Sequence, residues 1–450
     1  MSALVTDKGF YKSLLMITIP IAFQNLIGLG MNLVDTMMLG SLGEKQISAS
    51  ALANQPYFVF TLFIFGLCSG ACVLTAQYWG KGDTEAISRI LMMAVKISVV
   101  SAIIFSSVVL IFPEIVMSFY TNDKEVISLG SQFLRIIGFS YIISSVSITY
   151  LYILRSVENV RLPLLINISC FAVNAILNWI FIYGKLGFSA MGIRGSATAT
   201  LCARILELSM ALVYSYAFDK KLRFRLRDIF RSDRFFLHDF IFYSAPVVIN
   251  ETLWSLGITF QSVIIGHIGS KQVAAYSIAG IVQRLASVVI FGVANSAALM
   301  VGKQIGANDE IKAKAYAKTI LFLSVILGIV ATCVILLLRE PAVNFYNVSE
   351  ETKEFARQLI TVYAINITFI AFNCVNIVGI LRSGGDTRFA MALDVTTLWL
   401  VALPFGALAG LYFHLPLPVV FFILTIDESV KFFIGIFRFR SGKWLRNVTK

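Results

Sequence analysis

Long apolar stretches alternate with short polar ones along all 450 residues of the chain. A helix needs about 20 mostly apolar residues to cross the hydrocarbon of a bilayer, and the chain offers twelve such stretches. The predicted spans run near 14–39, 51–78, 90–112, 126–154, 162–184, 189–217, 239–266, 273–302, 319–338, 354–381, 389–412 and 416–437. Twelve spans place both chain ends on the same side of the membrane.

Basic residues indicate which side that is. Cytoplasmic loops of membrane proteins are enriched in Lys and Arg. The loops and tails on the side of the termini carry 24 of these residues, and the opposite loops carry eight. The first apolar run continues past Pro20 to Leu39 without a small-residue cleavage site, so it predicts a span and not a signal peptide. We therefore expect a multi-pass protein of the plasma (inner) membrane with both termini in the cytoplasm.

The two halves of the chain resemble each other. With a shift of 226 residues, positions 20–83 share 13 identities with positions 246–309, among them Pro20 with Pro246 and Gly80 with Gly306. This predicts an amino-terminal lobe over 1–218, a basic cytoplasmic linker over 219–238 and a carboxy-terminal lobe over 239–450. Repeats with an even number of spans insert in the same direction, which puts their pseudo-two-fold axis along the membrane normal. The predicted fold is an all-α membrane protein with twelve transmembrane helices in two six-helix lobes.

Composition narrows the classes of function. Hydrophobic residues make up 58% of the chain and charged residues 14%, against about 25% charged residues in soluble domains. This excludes a soluble enzyme and a nucleic-acid-binding module, and the net charge of +12 reflects the loops. The six Cys and three His residues show no metal-binding or disulfide spacing. We expect no cofactor, and no metal apart from a Na⁺ coupling ion.

An ionisable residue inside the membrane is costly and is therefore a functional candidate. Asp35 lies late in the first predicted span, on one helix face with Gln24. Pro20 begins this stripe and should kink the helix, because proline removes a backbone donor. Alternatively, Asp35 lies at the level of the outer lipid headgroups, near Gly40.

Oxygen-bearing side chains in spans five and six could join Asp35. Asn174 and Asn178 are four residues apart and share a helix face, and Thr198 lies in a hydroxyl-rich run with Ser196 and Thr200. Such a cluster suits a proton or a small hard cation, because hard cations prefer oxygen ligands. The sequence leaves the choice between these two ions open.

The second half has its own polar candidates. Glu251 in span seven is either a second cation site or substrate counter-charge, or a carboxylate satisfied locally. Asp427, Glu428 and Lys431 can pair within span twelve, and Arg204 can pair with Glu207 in span six. Asp394 has no evident partner in the sequence. The residues predicted to line a substrate site are Gln24, Tyr141, Asn250, Trp254 and Asn373.

Five motifs resemble the multidrug and toxic compound extrusion (MATE) family. They read DTMMLG at 35–40, AQYWGKGD at 76–83, MGIRGSA at 191–197, ILRSGGDTR at 380–388 and RFRSGKW at 438–444. The resemblance implies a V-shaped twelve-helix antiporter that exports organic cations in exchange for inward H⁺ or Na⁺. It also implies that Asp35 is the coupling carboxylate of the amino-terminal lobe, supported by Asn174 and Asn178.

Two departures from the family leave the ion undecided. Sodium-coupled members often pair the span-seven glutamate with an aspartate in span ten, where this chain has Ala371, Asn373 and Asn376. Some proton-coupled members have an aspartate where this chain has Asn178. The balance favours H⁺ slightly over Na⁺.

The predicted function is therefore cation-coupled export of amphiphilic organic cations by alternating access, with the lipid bilayer as the only other partner and a functional monomer. A lipid-linked oligosaccharide flippase would share the duplicated helices but should need a more cationic cleft. An intramembrane enzyme should show clustered catalytic residues near a membrane boundary, and no suitable spacing occurs.

Overall fold

A computed structural model of the chain describes residues 4–219, 222, 234–346 and 348–449. Every regular element in these ranges is helical, which confirms the predicted all-α class. The helices are α1 (Lys8–Gly40), α2 (Glu44–Ala53), α3 (Gln55–Lys81), α4 (Thr84–Ile111), α5 (Pro113–Tyr120), α6 (Lys124–Ser156), α7 (Arg161–Tyr183), α8 (Ile193–Ala217), α9 (Arg234–Ile268), α10 (Ser270–Gly306), α11 (Glu310–Asn344), α12 (Glu350–Cys374), α13 (Thr387–Thr396), α14 (Leu403–Ala407), α15 (Leu417–Leu424) and α16 (Asp427–Arg440). Three π-helical segments, Val375–Leu381, Thr397–Ala402 and Leu408–Tyr412, continue α12, α13 and α14.

Eleven helical segments of the described ranges are long and apolar enough to cross a membrane. The twelfth predicted span, near 416–437, is divided: α15 ends at Leu424 and α16 begins at Asp427. Asp427 and Glu428 thus lie in the first turn of α16, where the helix dipole favours negative charge. The break explains how an otherwise apolar span accommodates adjacent carboxylates.

Many large apolar side chains face outward. Leu337, Leu400 and Phe437 are each more than two-thirds exposed, and all three lie in helical segments. Exposed apolar surface on this scale marks an interaction with membrane or protein. Together with the apolar helices, it fits a multi-pass membrane protein.

The chain forms two compact units. The carboxy-terminal unit contains the chain up to Ala22, Ala76–Gly82 and the chain from Ala245 onward, and the amino-terminal unit contains Phe23–Thr75 and Asp83–Ser244. The start of α1 and the end of α3 therefore belong with the second half of the sequence. The predicted lobe boundaries stay a prediction, and most of the predicted linker, 219–238, lies outside the described residues.

Each unit has its own apolar core. In the amino-terminal unit, the Phe60 and Tyr141 rings stack with centroids 5.1 Å apart, and both side chains are fully buried. In the carboxy-terminal unit, the core is built around Ile360, Val420 and Leu424. These cores hold the helices that carry the polar residues discussed below.

The sequence repeat reappears in the local geometry of helix starts. Gly43 and Gly269 precede α2 and α10 with φ of 130° and 158°, backbone angles that side-chain-bearing residues rarely adopt. Asp83 and Asp309 cap α4 and α11 by accepting backbone N–H bonds of 2.9 and 3.0 Å. All four residues are related by the 226-residue shift.

An ion pair is repeated with the same shift. Lys45 pairs with Glu125 in the amino-terminal unit, and Lys271 pairs with Glu351 in the carboxy-terminal unit. Both pairs tie the start of one helix to the start of another about eighty residues later. This agreement supports the duplication inferred from the identities.

Two equivalent glycines let α3 and α10 touch backbone to backbone within the carboxy-terminal unit. A Cβ atom on Gly80 would lie 1.9 Å from the carbonyl oxygen of Lys303, and one on Gly306 would lie 1.8 Å from that of Gln77. Gln77 and Lys303 are themselves related by the repeat. The crossing is therefore two-fold in character and requires glycine at both positions.

Candidate ion-binding site

Asp35 lies in the last two turns of α1 and is partly buried. The helix continues through Pro20, whose missing N–H leaves one intrahelical hydrogen bond unmade. The chain passes from one compact unit to the other between Ala22 and Phe23, two residues after Pro20. The predicted role of Pro20 as a conformational kink stays a prediction.

Side chains of α7 and α8 surround the Asp35 carboxylate. The Asn178 amide donates to Asp35 Oδ1 and also to Asn174 Oδ1, the latter at 3.1 Å. The Asn174 amide in turn donates to Thr200 Oγ1 at 3.3 Å. Both asparagines are fully buried. The carboxylate, two amides and a hydroxyl that the sequence suggested for one place are thus brought together inside the amino-terminal unit.

The cluster has more acceptors than donors. Asn178 Oδ1 is buried and has no hydrogen-bond partner among the described residues. Buried polar atoms of native proteins are nearly always satisfied, so an unsatisfied oxygen beside a carboxylate suits a proton or a small cation. The arrangement can therefore bind an ion through oxygen atoms alone.

The hydroxyl in this cluster belongs to Thr200 and not to Thr198. The Thr198 hydroxyl donates to the Arg194 carbonyl of its own helix at 2.8 Å. The two threonines are two positions apart, which is about 200° around a helix, so they point to opposite faces. The structure therefore does not bring the Thr198 hydroxyl into this cluster, and its predicted role in ion coupling stays a prediction.

Glu251 on α9 has a local partner. Its Oε1 lies 2.8 Å from Arg382 Nη2, and both side chains are largely buried. The negative charge of Glu251 is therefore offset by a guanidinium, which corresponds to the locally satisfied alternative. Arg382 follows the apolar residues of a predicted span, as a residue of a cytoplasmic loop would, but its side chain is only 3% exposed.

A second charged cluster surrounds Lys431 in the carboxy-terminal unit. The Lys431 ammonium lies 2.6 Å from Asp394, 2.7 Å from Asp427 and 3.1 Å from Glu428. Pairing within α16 is confirmed, and Asp394 has a partner that its sequence surroundings did not reveal. The predicted pair of Arg204 with Glu207 is also present, at 2.5 Å.

The sequence of the chain matches a known protein family. The sequence profile of the MatE family matches residues 20–180 and again residues 246–408. The two matches begin 226 residues apart, at Pro20 and Pro246, and together cover most of the chain. The chain belongs to the MatE family. The resemblance drawn from the motifs is confirmed.

Curated relatives of this MatE chain span nearly its whole length. A probable multidrug resistance protein NorM of Thermotoga maritima is 22% identical over 96% of this chain and 93% of the relative. A probable multidrug resistance protein NorM of Rhizobium meliloti is 25% identical over 90% of this chain and 87% of the relative.

Solved structures show the same fold. A MOP superfamily transporter from Pyrococcus furiosus matches with a TM-score of 0.86 and 19% identity, over 97% of this chain and 98% of the other. A structure described as the outward-facing conformation of a multidrug resistance MATE family transporter matches with a TM-score of 0.87 and 18% identity, over 98% and 99% of the two chains. The predicted membrane fold of the MatE chain is confirmed.

The residues predicted to line a substrate site have different surroundings. Tyr141 is fully buried in the core of the amino-terminal unit, and its role in substrate binding stays a prediction. Gln24 is buried and donates to the Val160 carbonyl at 3.2 Å. Asn250 donates to Asp394 at 3.1 Å, and Asn373 donates to Glu428 at 2.8 Å.

Trp254 differs from these residues because about a third of its surface is exposed. Its role in substrate binding stays a prediction, as do those of Gln24, Asn250 and Asn373. The structure does not join the five residues into one set of contacts.

Two contacts between buried charged residues could not be predicted from the sequence of this MatE chain. Arg382 follows the last apolar residues of a span, so its charge fits a cytoplasmic loop as well as a buried partner of Glu251. Asp394 and Lys431 are 37 positions apart on different helices, and no local pattern reveals their contact. In both cases the missing signal is tertiary.

Proposed function

We propose that this chain exports small amphiphilic organic cations by antiport with inward H⁺ or Na⁺. Membership of the MatE family supports transport, and the relatives described as probable multidrug resistance proteins support drug-like substrates. The chain would act as a monomer in the plasma membrane. Both termini would lie in the cytoplasm, because Lys and Arg are concentrated in the loops on the side of the termini.

The observation that carries the coupling proposal is the hydrogen bond from Asn178 to Asp35. An ionised carboxylate only accepts hydrogen bonds, so it matches the Asn178 N–H group. A protonated carboxyl group would instead donate, and Asn178 Oδ1 is an acceptor without a partner among the described residues. A change in the charge of Asp35 would therefore reverse the preferred orientation of the amide.

A reversed Asn178 amide would link ion binding at Asp35 to the conformation of α1. Binding of H⁺ or Na⁺ would neutralise Asp35, rearrange its contacts with α7 and weaken attraction for a cationic substrate. Release of the ion would restore the negative charge that attracts the substrate. Pro20, fifteen residues earlier in α1, is the position at which the helix would bend in response.

The driving force follows from the charges that move. One charge crossing 100 mV is worth about 2.3 kcal/mol. If one H⁺ enters for each monovalent cation exported, no net charge moves and only the pH difference drives transport. Clamping the membrane potential with a potassium ionophore should then leave the export rate unchanged.

Transport by the full chain in proteoliposomes tests the proposal. Efflux of ethidium is measured under an imposed pH gradient or an imposed Na⁺ gradient. We expect one of the two gradients to drive efflux by the unmodified chain. Asp35→Asn should reduce the rate to that seen without a gradient, because the side chain no longer gains or loses a charge.

Thr36→Val is the matched control. Thr36 is adjacent to Asp35 and is exposed. Within the described part of the chain, its hydroxyl donates only to the Asn32 carbonyl of its own helix. This variant should retain gradient-driven efflux. Equal efflux from Asp35→Asn and the unmodified chain would contradict the coupling role of Asp35.

A further inference from the structure

The Lys431 cluster has the geometry of an occupied cation site. Asp394, Asp427 and Glu428 each place a carboxylate oxygen within 3.1 Å of the Lys431 ammonium. An ammonium group has three N–H donors, so each donor has one carboxylate. The Lys431 side chain is only 2% exposed, and the ammonium is surrounded in the way a bound monovalent cation would be.

The site is built from four helices. Asp427, Glu428 and Lys431 lie on one face of α16, and Asp394 reaches the ammonium from α13. Asn250 on α9 donates to Asp394, and Asn373 on α12 donates to Glu428. The carboxylates are thus fixed from outside the helix that carries the lysine.

Two buried amide groups that contact the carboxylates each have an oxygen without a partner. Asn250 Oδ1 and Asn373 Oδ1 have no hydrogen-bond partner within the described part of the chain, and both residues are at least nine-tenths buried. Their N–H groups are directed to carboxylates, which accept only, so the orientation of each amide is determined. The residues that hold the carboxylates therefore carry two further oxygen acceptors that no protein donor satisfies within the described part of the chain.

The charges agree with this reading. Three carboxylates surround one ammonium, and the nearby Arg382 guanidinium is paired with Glu251. Removing the ammonium would leave three carboxylates facing one vacated position in a poorly solvated environment. Buried charge without a partner is strongly destabilising, so that position would attract a small cation.

We propose that the Lys431 ammonium is a tethered counter-ion that fills a monovalent-cation site formed by Asp394, Asp427 and Glu428. While the lysine occupies the site, this half of the chain takes up no free ion there. Exchange of ions with the surrounding solution would then occur only at groups other than Asp394, Asp427 and Glu428. The proposal does not depend on Asp35 being the coupling residue.

Thermal unfolding of the full chain in detergent tests the tethered ion. All variants carry Asp35→Asn, so that the other candidate ion site does not contribute. The unfolding midpoint is measured in NaCl, in KCl and in choline chloride at equal ionic strength, since choline is too large for the position of the ammonium. The parent should show the same midpoint in all three salts.

Lys431→Met should behave differently. Its midpoint in choline chloride should lie below that of the parent, and NaCl or KCl should raise it by about 2–4 °C because the cation binds the folded state. Lys271→Met is the matched control: Lys271 has one carboxylate partner, Glu351, and is half exposed. It should show no difference between salts.

Two further variants keep the result decisive. Lys431→Met with Asp427→Asn and Glu428→Gln should lose the response to NaCl and KCl, because the oxygen ligands lose their charge. If Lys431→Met alone does not fold, Lys431→Met with Asp394→Asn has the same net charge as the parent and should still respond. The same midpoint in all salts for Lys431→Met, or for Lys431→Met with Asp394→Asn if only that variant folds, would overturn the proposal. An equal salt response in the parent would also overturn it.

Discussion

At the scale of single residues, the buried carboxylates of the two halves lie at positions that the repeat does not relate. Asp35 is matched by Gln261 in the repeat, and Glu251 is matched by Asn25. Gln261 donates to the Leu424 carbonyl at 2.7 Å and so serves packing. Asp35 has amide neighbours, whereas Glu251 has a guanidinium partner, so the two carboxylates differ in how easily they can exchange an ion.

Substitutions of the two threonines of α8 test which hydroxyl belongs to the Asp35 cluster. The structure places Thr200 there, whereas the sequence suggested Thr198. Thr200→Val removes the acceptor of the Asn174 amide, which should cost about 1 kcal/mol of cluster stability. We expect the H⁺ or Na⁺ concentration for half-maximal ethidium efflux in proteoliposomes to change about fivefold. Thr198→Val should leave this value unchanged because Thr198 bonds its own helix. A larger effect of Thr198→Val would refute the assignment.

At the scale of helices, glycine positions and π-helical segments decide how the elements fit. Asn376 lies in the π-helical segment Val375–Leu381, which continues α12 and ends immediately before Arg382. The segment Thr397–Ala402 begins three residues after Asp394. π-helical turns are rare and frequently occur at functional sites. Here both adjoin the charged residues of the carboxy-terminal unit.

The crossing of α3 and α10 makes a prediction about stability. Gly80→Ala and Gly306→Ala each place a methyl group against a backbone carbonyl, and the forced separation should cost about 1–3 kcal/mol. We expect a lower thermal unfolding midpoint in detergent for both variants.

Gly280→Ala on α10 is the control for these variants, because its Cβ would meet no atom within 4 Å. It should leave the midpoint unchanged or raise it, since alanine restricts the unfolded chain. A decrease for Gly280→Ala as large as those for Gly80→Ala and Gly306→Ala would mean that the backbone contact is not the cause.

At the scale of the whole molecule, charge and hydropathy agree on a membrane arrangement. The long helices are apolar, and Lys and Arg are concentrated in alternate loops. A charged loop is costly to move across the bilayer, and cytoplasmic retention of basic residues sets the direction of insertion. This argument predicts the side on which each connection between helices lies.

Cysteine labelling in intact cells checks that prediction. In a background without the six native cysteines, Asn122→Cys lies between α5 and α6, and Ala307→Cys lies between α10 and α11. Asn122→Cys should react with a membrane-impermeant maleimide from outside. Ala307→Cys should react only after lysis. The reverse pattern would place the termini outside the cytoplasm.

Much of the fold is readable from the sequence because hydrophobic length and local turn chemistry are local properties. Apolar runs identified the spans, and identities such as Gly43 with Gly269 identified the duplication. The interruption of the last span was not evident, because Thr425 and Ile426 do not break helices strongly. The break is seen only in the structure, where α15 ends at Leu424 and α16 begins at Asp427 with its two carboxylates in the first turn.

The sequence by itself determined the helical class, the repeat, the family motifs and Asp35 as a candidate, because each depends on neighbouring residues or on regular spacing. The tertiary structure decided that Thr200 and not Thr198 joins the asparagines, that Arg382 neutralises Glu251, and that Asp394 meets Lys431. These contacts join residues that are distant along the chain, and their partners depend on which helix faces pack together.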